Sequence, residues 1–166
     1  MAITSAEIHN QSFSIDRKGY DVDEVDVFLE HVADEIDGLN HTNNAVYVQW
    51  CETVAWSHSQ SLGLGLADYQ LLDRAMVIRH GEYDYLLPSR LGDELILGTW
   101  LTASDGKLTL ERRFQLIRAT DRTTILRGRW DLVCVELGSG RPRRMPTEFR
   151  AAYLAALAKP ETKEPR

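Results

Sequence analysis

The sequence predicts an α+β domain, an antiparallel sheet wrapped around one helix, with a helical appendage in front of it. Three observations carry this. Residues 43–62 have the apolar spacing of a buried helix, five strand-like runs separated by turn residues follow them, and the charge divides sharply near residue 37. The first 37 residues hold ten acidic side chains against two basic ones, a net charge of −8, so the rest of the chain carries +2. Such asymmetry marks two pieces with different jobs. It also argues against nucleic acid as the partner of the acidic piece, which phosphate would repel. At 166 residues, 43% hydrophobic and 27% charged, the chain is about one domain and too apolar to be disordered. No apolar run approaches the ~20 residues of a membrane span, and the N-terminus lacks the charged-then-apolar pattern of a signal peptide. Two cysteines, Cys51 and Cys134, are too few for a disulfide framework and suit a reduced cytoplasm; no Cys/His cluster offers a zinc site.

Taken in order, Thr4-Ser5-Ala6-Glu7 has capping-box spacing and starts a short helix near Ser5. Gly19-Tyr20 breaks the chain, and Asp21-Val22-Asp23-Glu24 repeats the cap chemistry. Val25, Leu29, Val32, Ile36 and Leu39 then fall at spacings of 4, 3, 4 and 3, with Phe28 widening the stripe. That pattern predicts an amphipathic helix over 22–37, ended by Gly38. A second helix is expected at 43–62, where Val46, Trp50, Val54 and His58 share one line and Gly63 and Gly65 stop it. The strand-like runs are Met76–Ile78, Tyr83–Leu87, Glu94–Leu101, Leu108–Ile117 and Thr123–Leu137, parted by Gly81, Pro88–Gly92, Ser104–Lys107 and Thr120–Arg122. Asp105-Gly106 is a strong hairpin signal. A short helix over Pro146–Leu157 closes the fold, and Lys159–Arg166 is a polar tail.

The stretch from Asp37 to Tyr47 is dense in polar residues just before the buried-looking helix. Asn43 and Asn44 can cap that helix, whose free N–H groups form an anion-stabilising end. Read from composition alone, this is a capped helix entry with one solvated aspartate. Ser57-His58 does not make a nucleophile pair, since adjacent helical residues do not face each other. Gly63-Leu64-Gly65 lacks the rest of a dinucleotide fingerprint. Arg141, Arg143 and Arg144 form either a solvated turn or a phosphate-docking cluster.

Asp37, His41, Thr42, Asn43, Asn44 and Tyr47 resemble the catalytic-loop motif of hot-dog-fold acyl-CoA thioesterases of the 4-hydroxybenzoyl-CoA type. The family glycine is Asn40 here, and asparagine also accepts φ > 0. Asp84–Leu95 resembles that family's second strand and its turn, and Leu132–Pro146 its last strand and closing helix, so the likeness covers about residues 35–157. It implies a hot-dog domain over 38–158 that hydrolyses an acyl-CoA thioester as a homodimer or tetramer, without metal or organic cofactor. The implied catalytic residues are Asp37 as base or nucleophile, the N–H of Asn44 as oxyanion donor, and His41. Asn43, Tyr47, Arg90, Arg141, Arg143 and Arg144 are implied at the substrate. A dehydratase using His41 and a hydrolase of acyl-carrier-protein esters are rival acyl chemistries.

Residues 1–37 resemble a different family, the N-terminal domain of DivIVA-type polar-scaffold proteins, through Ile3-Thr4, Ile8–Asn10, Phe13, Gly19–Asp21, Asp23–Asp26 and Phe28-Leu29. That likeness implies a coiled-coil helix and a membrane-facing turn at 13–20, but Arg17 stands where an apolar inserting residue is expected. It also raises an alternative, a non-enzymatic scaffold whose first segment dimerises while the hot dog is structural. The two likenesses meet at Glu35–Asn40, where hot-dog thioesterases place a strand and this chain has a heptad pattern. A splice of two unrelated proteins accounts for the charge boundary.

Overall fold

The computed structural model describes residues 26–31 and 40–158. Helix α1, Asn44–Ser61, begins at the expected cap: Asn43 takes φ −60° and ψ 136°, and its side chain accepts a hydrogen bond from the N–H of Ala45. Val46, Tyr47, Cys51, Val54, Ala55, His58 and Ser59 are its buried face, an i, i+3/i+4 stripe laid against the sheet. Leu62 closes the helix and Gly63, at φ +79°, turns the chain away. A one-turn-and-a-half helix α2, Leu66–Leu71, follows, and the Asp68 carboxylate accepts from the N–H of its cap residue Gly65 at 2.9 Å.

Strands β2 (Arg74–Tyr85), β3 (Glu94–Ser104), β4 (Thr109–Arg118) and β5 (Thr124–Glu136), together with β1 (Asp26–His31), make one sheet in the order β1-β3-β4-β5-β2. Every neighbouring pair is antiparallel. β4 buries alternate residues, Leu110, Arg112, Phe114 and Leu116, whereas β3 buries an unbroken run from Leu95 to Thr99 and on through Leu101. Helix α3, Thr147–Ala155, adds Phe149 and Tyr153 to the core.

Two expectations are corrected. The helix anticipated over 22–37 does not form across 26–31, which is strand β1, running antiparallel to β3 from Asp26↔Thr99 to His31↔Glu94. β3 needs a partner on its second edge, because a buried strand cannot leave its N–H and C=O groups unmet. Tertiary pairing here overrides local helix periodicity. The rest of that segment, the turn at 13–20 and the tail after residue 158 lie outside the described residues. Met76–Ile78 and Tyr83–Leu87 are not two strands either. One strand, β2, runs through Gly81, where a Cβ would stand 3.3 Å from Cδ1 of Trp130. That glycine marks a close approach, not a break. The hairpin is as expected: Gly106 has φ +63°, and the Asp105 carboxylate accepts from the N–H groups of Lys107, Leu108 and Thr109. No helix among the described residues is long and apolar enough to cross a membrane.

Candidate active site

No acidic residue lies in the first turn of α1, so the positive end of the helix is not neutralised by the helix itself. Of its first N–H groups, that of Ala45 goes to the Asn43 side chain and that of Val46 to the Asn43 carbonyl. Asn40 approaches it at φ +61°, the conformation that its replacement of a glycine requires. His41 is half-buried, Asn43 and Asn44 are exposed, and Thr42 and Tyr47 are buried.

What holds this entry is a knot of three hydroxyls. Thr42 donates its N–H to the carbonyl of Ser89 at 3.0 Å, and the Thr42 and Ser89 hydroxyls meet at 2.7 Å. The Tyr47 hydroxyl lies 2.9 Å from the same Ser89 oxygen and accepts the Ser89 N–H at 3.0 Å. Ser89 is wholly buried. Reading the sequence missed it, because its partners are 47 and 42 positions away and nothing local signals them.

Asp37 lies outside the described residues. Arg90 is exposed, and its N–H donates to Asp93 at 2.9 Å in the turn that carries Ser89. Arg141, Arg143 and Arg144 are exposed on the turn after β5, with Arg143 3.5 Å from Glu136. That turn adjoins Glu136, paired with Arg74, whereas the Ser89 strap leaves β2 beyond Tyr85, paired with Leu126. The two ends are separated by the length of β5, about 30 Å at ~3.3 Å per residue. One protomer therefore does not bring the three arginines to the start of α1.

A cleft of about 250 Å³ opens farther along α1, lined by Glu52, Ala55, Trp56 and Ser59 of that helix and by Tyr69, Met76, Arg112, Trp130 and Tyr153. Glu52 is exposed as a residue, and partial desolvation where it lines the cleft raises its carboxyl above the ordinary pKa. Sequence reading passed over this residue; a carboxylate on the helix stripe that faces a cleft was its available signal. At the floor, the buried Arg112 guanidinium meets Nδ1 of His58 at 2.8 Å, Oγ1 of Thr99 at 3.1 Å and Oγ of Ser59 at 3.5 Å. An arginine can only donate, so Nδ1 of His58 accepts and that ring is neutral at this nitrogen. The Tyr69 and Tyr153 hydroxyls hydrogen-bond each other, and desolvation first, then Tyr153, pushes the Tyr69 phenol up. Among the described residues no three His, Cys, Asp or Glu side chains gather into a metal site.

A family model described as the thioesterase-like superfamily matches residues 31–153. The chain belongs to that superfamily. A second model, described as DivIVA protein, matches residues 3–54 and so overlaps the first. Among solved structures, this thioesterase is similar to a Synechocystis 1,4-dihydroxy-2-naphthoyl-CoA thioesterase, at 19% identity, TM-score 0.70, covering 78% of this chain and 96% of the other. A Staphylococcus aureus protein solved in complex with CoA aligns at 20% identity and TM-score 0.76, over 85% of this chain and 89% of that one. A Thermus thermophilus thioesterase complexed with coenzyme A and Zn aligns at 25% identity and TM-score 0.67, over 82% and 97%. The hot-dog fold expected from the motifs is the fold of this thioesterase.

Proposed function

We propose that this thioesterase hydrolyses an acyl-CoA thioester to a free acid and coenzyme A in the cytoplasm, with Asp37 as its carboxylate. The observation that supports the reading is the start of α1, a helix end with no acidic residue in its own first turn, whose Asn44 follows directly on the Thr42–Ser89–Tyr47 knot. The Asn44 N–H would polarise the thioester carbonyl and bind the oxyanion as it forms. Asp37 would take a proton from the attacking water, or attack directly to give a mixed anhydride that water then opens. The thiolate of coenzyme A leaves and takes up a proton. His41 and Asn43 would orient the loop and the water.

We further propose a homodimer built on β2. Its exposed Val77, Ile78 and Tyr85, with Leu86 and Leu87 beyond, leave a long apolar edge strand that needs cover. Antiparallel pairing of two β2 strands would set the Arg74 end of one beside the Tyr85 end of the other. Arg141, Arg143 and Arg144 of one copy would then reach the α1 entry of the second, where the phosphates of coenzyme A could dock.

Glu52 supports a second reading of the carboxylate, since it lines the cleft and its carboxyl is raised by partial desolvation. It lies eight residues past Asn44, about 12 Å along the axis at ~1.5 Å per residue, so the two cannot act on one carbonyl within a protomer. Thiol release from acyl-CoA by Asp37→Asn and Glu52→Gln variants decides between them: the true base loses at least ~10²-fold. No release by the unaltered chain would favour the scaffold reading, for which the DivIVA match over 3–54 speaks.

A further inference from the structure

We propose that Ser89 is a positioning residue for the hydrolysis, setting where the Asn44 N–H points; this rests on the thioesterase reading above. One assignment places every proton of the knot. The Tyr47 oxygen accepts the Ser89 N–H and its own proton goes to the Ser89 hydroxyl oxygen. Ser89 passes its proton to the Thr42 hydroxyl, which in turn faces the Ser89 carbonyl at 3.4 Å. All three side chains are buried, so each bond is made in a low-dielectric setting and each lost partner leaves a polar atom stranded.

Ser89 is itself held on a braced strap. Arg118 donates to the Pro88 carbonyl at 3.3 Å and pairs with Asp93 at 3.3 Å, and Asp93 accepts the Arg90 N–H. The strap therefore hangs from the end of β4, and Ser89 carries that fixed point to Thr42 through both main chain and side chain. Thr42 is followed directly by the cap Asn43 and by Asn44. A residue that touches no reacting atom thus fixes the backbone from which the oxyanion donor projects. Donors of this kind act only when aimed at the developing charge, and a small misplacement costs rate more than affinity.

Ser89→Ala keeps both main-chain bonds, Thr42 N–H to the Ser89 carbonyl and Ser89 N–H to Tyr47, so the chain should still fold. The test measures kcat and KM for acyl-CoA hydrolysis together with amide exchange at Thr42, Ala45 and Val46, whose N–H groups are bonded to the Ser89 carbonyl, the Asn43 side chain and the Asn43 carbonyl. Ser89→Ala is expected to lower kcat about tenfold with KM changed less than about twofold, and to speed those amides about tenfold without altering α3. Thr42→Val should do the same, Thr42→Ser should stay near the parent, and the Ser89/Thr42 double variant should lose little more than either single one. Unchanged kcat despite faster exchange would overturn the proposal, as would unchanged exchange, or a rise in KM as large as the fall in kcat. If the unaltered chain releases no thiol, the thioesterase reading fails by itself. The exchange result then still decides whether Ser89 holds the entry.

Discussion

Gly128→Ala tests the packing beneath the cleft. A Cβ at Gly128 would stand 3.1 and 3.2 Å from two ring carbons of Tyr83 and 3.3 Å from Cδ2 of Phe114, tighter than ordinary van der Waals contact. The three residues sit side by side on adjacent strands, Tyr83↔Gly128 and Phe114↔Gly128. Phe114 is buried and stacked edge-on to Trp130 at 4.5 Å, so it has nowhere to go. Tyr83 must move instead, at the expense of its hydroxyl bond from Nε1 of Trp130 at 2.6 Å. Overpacking costs about 1–3 kcal/mol, and replacing glycine by alanine in a strand returns about 0.5–1 kcal/mol. Taking the middle of each range, the net is a loss of about 1 kcal/mol, or roughly 3–5 °C in Tm for a domain of this size. Urea unfolding followed by tryptophan fluorescence measures it. A variant as stable as the parent, or more so, would show that the rings yield freely and that this glycine is not a packing requirement.

The remaining predictions concern charge and reactivity. Arg143→Ala combined with Arg144→Ala should raise KM for acyl-CoA more than it lowers kcat, with a smaller effect on a pantetheine thioester that lacks the nucleotide phosphates; equal losses on both would leave the arginines a solvated turn. Cys51 should resist thiol reagents at pH 8 until the chain unfolds, because desolvation and then the Glu52 charge push its thiol to about 12; prompt labelling of the folded protein would refute its burial. Desolvation acts to raise the Asp105 carboxyl, but the N–H groups of Thr109, Leu108 and Lys107 outweigh it and bring the pKa down to about 2. Its folded pKa lies below its unfolded one, so its contribution is present above about pH 4 and fades as pH falls toward about 2. Because the group is exposed, Asp105→Asn should remove under about 1 kcal/mol at pH 7 and flatten the stability curve across that window; an unchanged curve would sink the argument.

How much of this was legible in the sequence follows from the range of the forces involved. The start of α1 was readable because a cap acts within three residues: Asn43 and its bond to Ala45 are local chemistry. Asn40 at φ +61° and the Asp105-Gly106 turn were readable for the same reason. β1 was not, since its heptad spacing is a local signal and its strand state is set by the free edge of β3 about 70 positions later. Gly81 was mistaken for a break because the side chain it makes room for, Trp130, belongs to another strand. At the site, the polar loop announced itself, while Ser89 did not: a buried serine looks like any other until the chain folds back on it.

The pairing of β1 with β3 bears on how such a chain can arise. A ladder recognises N–H and C=O groups, which every residue except proline supplies. The free margin of β3 therefore demands an extended stretch of suitable length and little else, and unrelated ancestries can supply it. The two family models, over 3–54 and 31–153, overlap just past β1, and the pairing of β1 with β3 is made by main chain. Replacing the residues before β3's free edge by another extended segment is therefore an engineering route that the main-chain ladder leaves open.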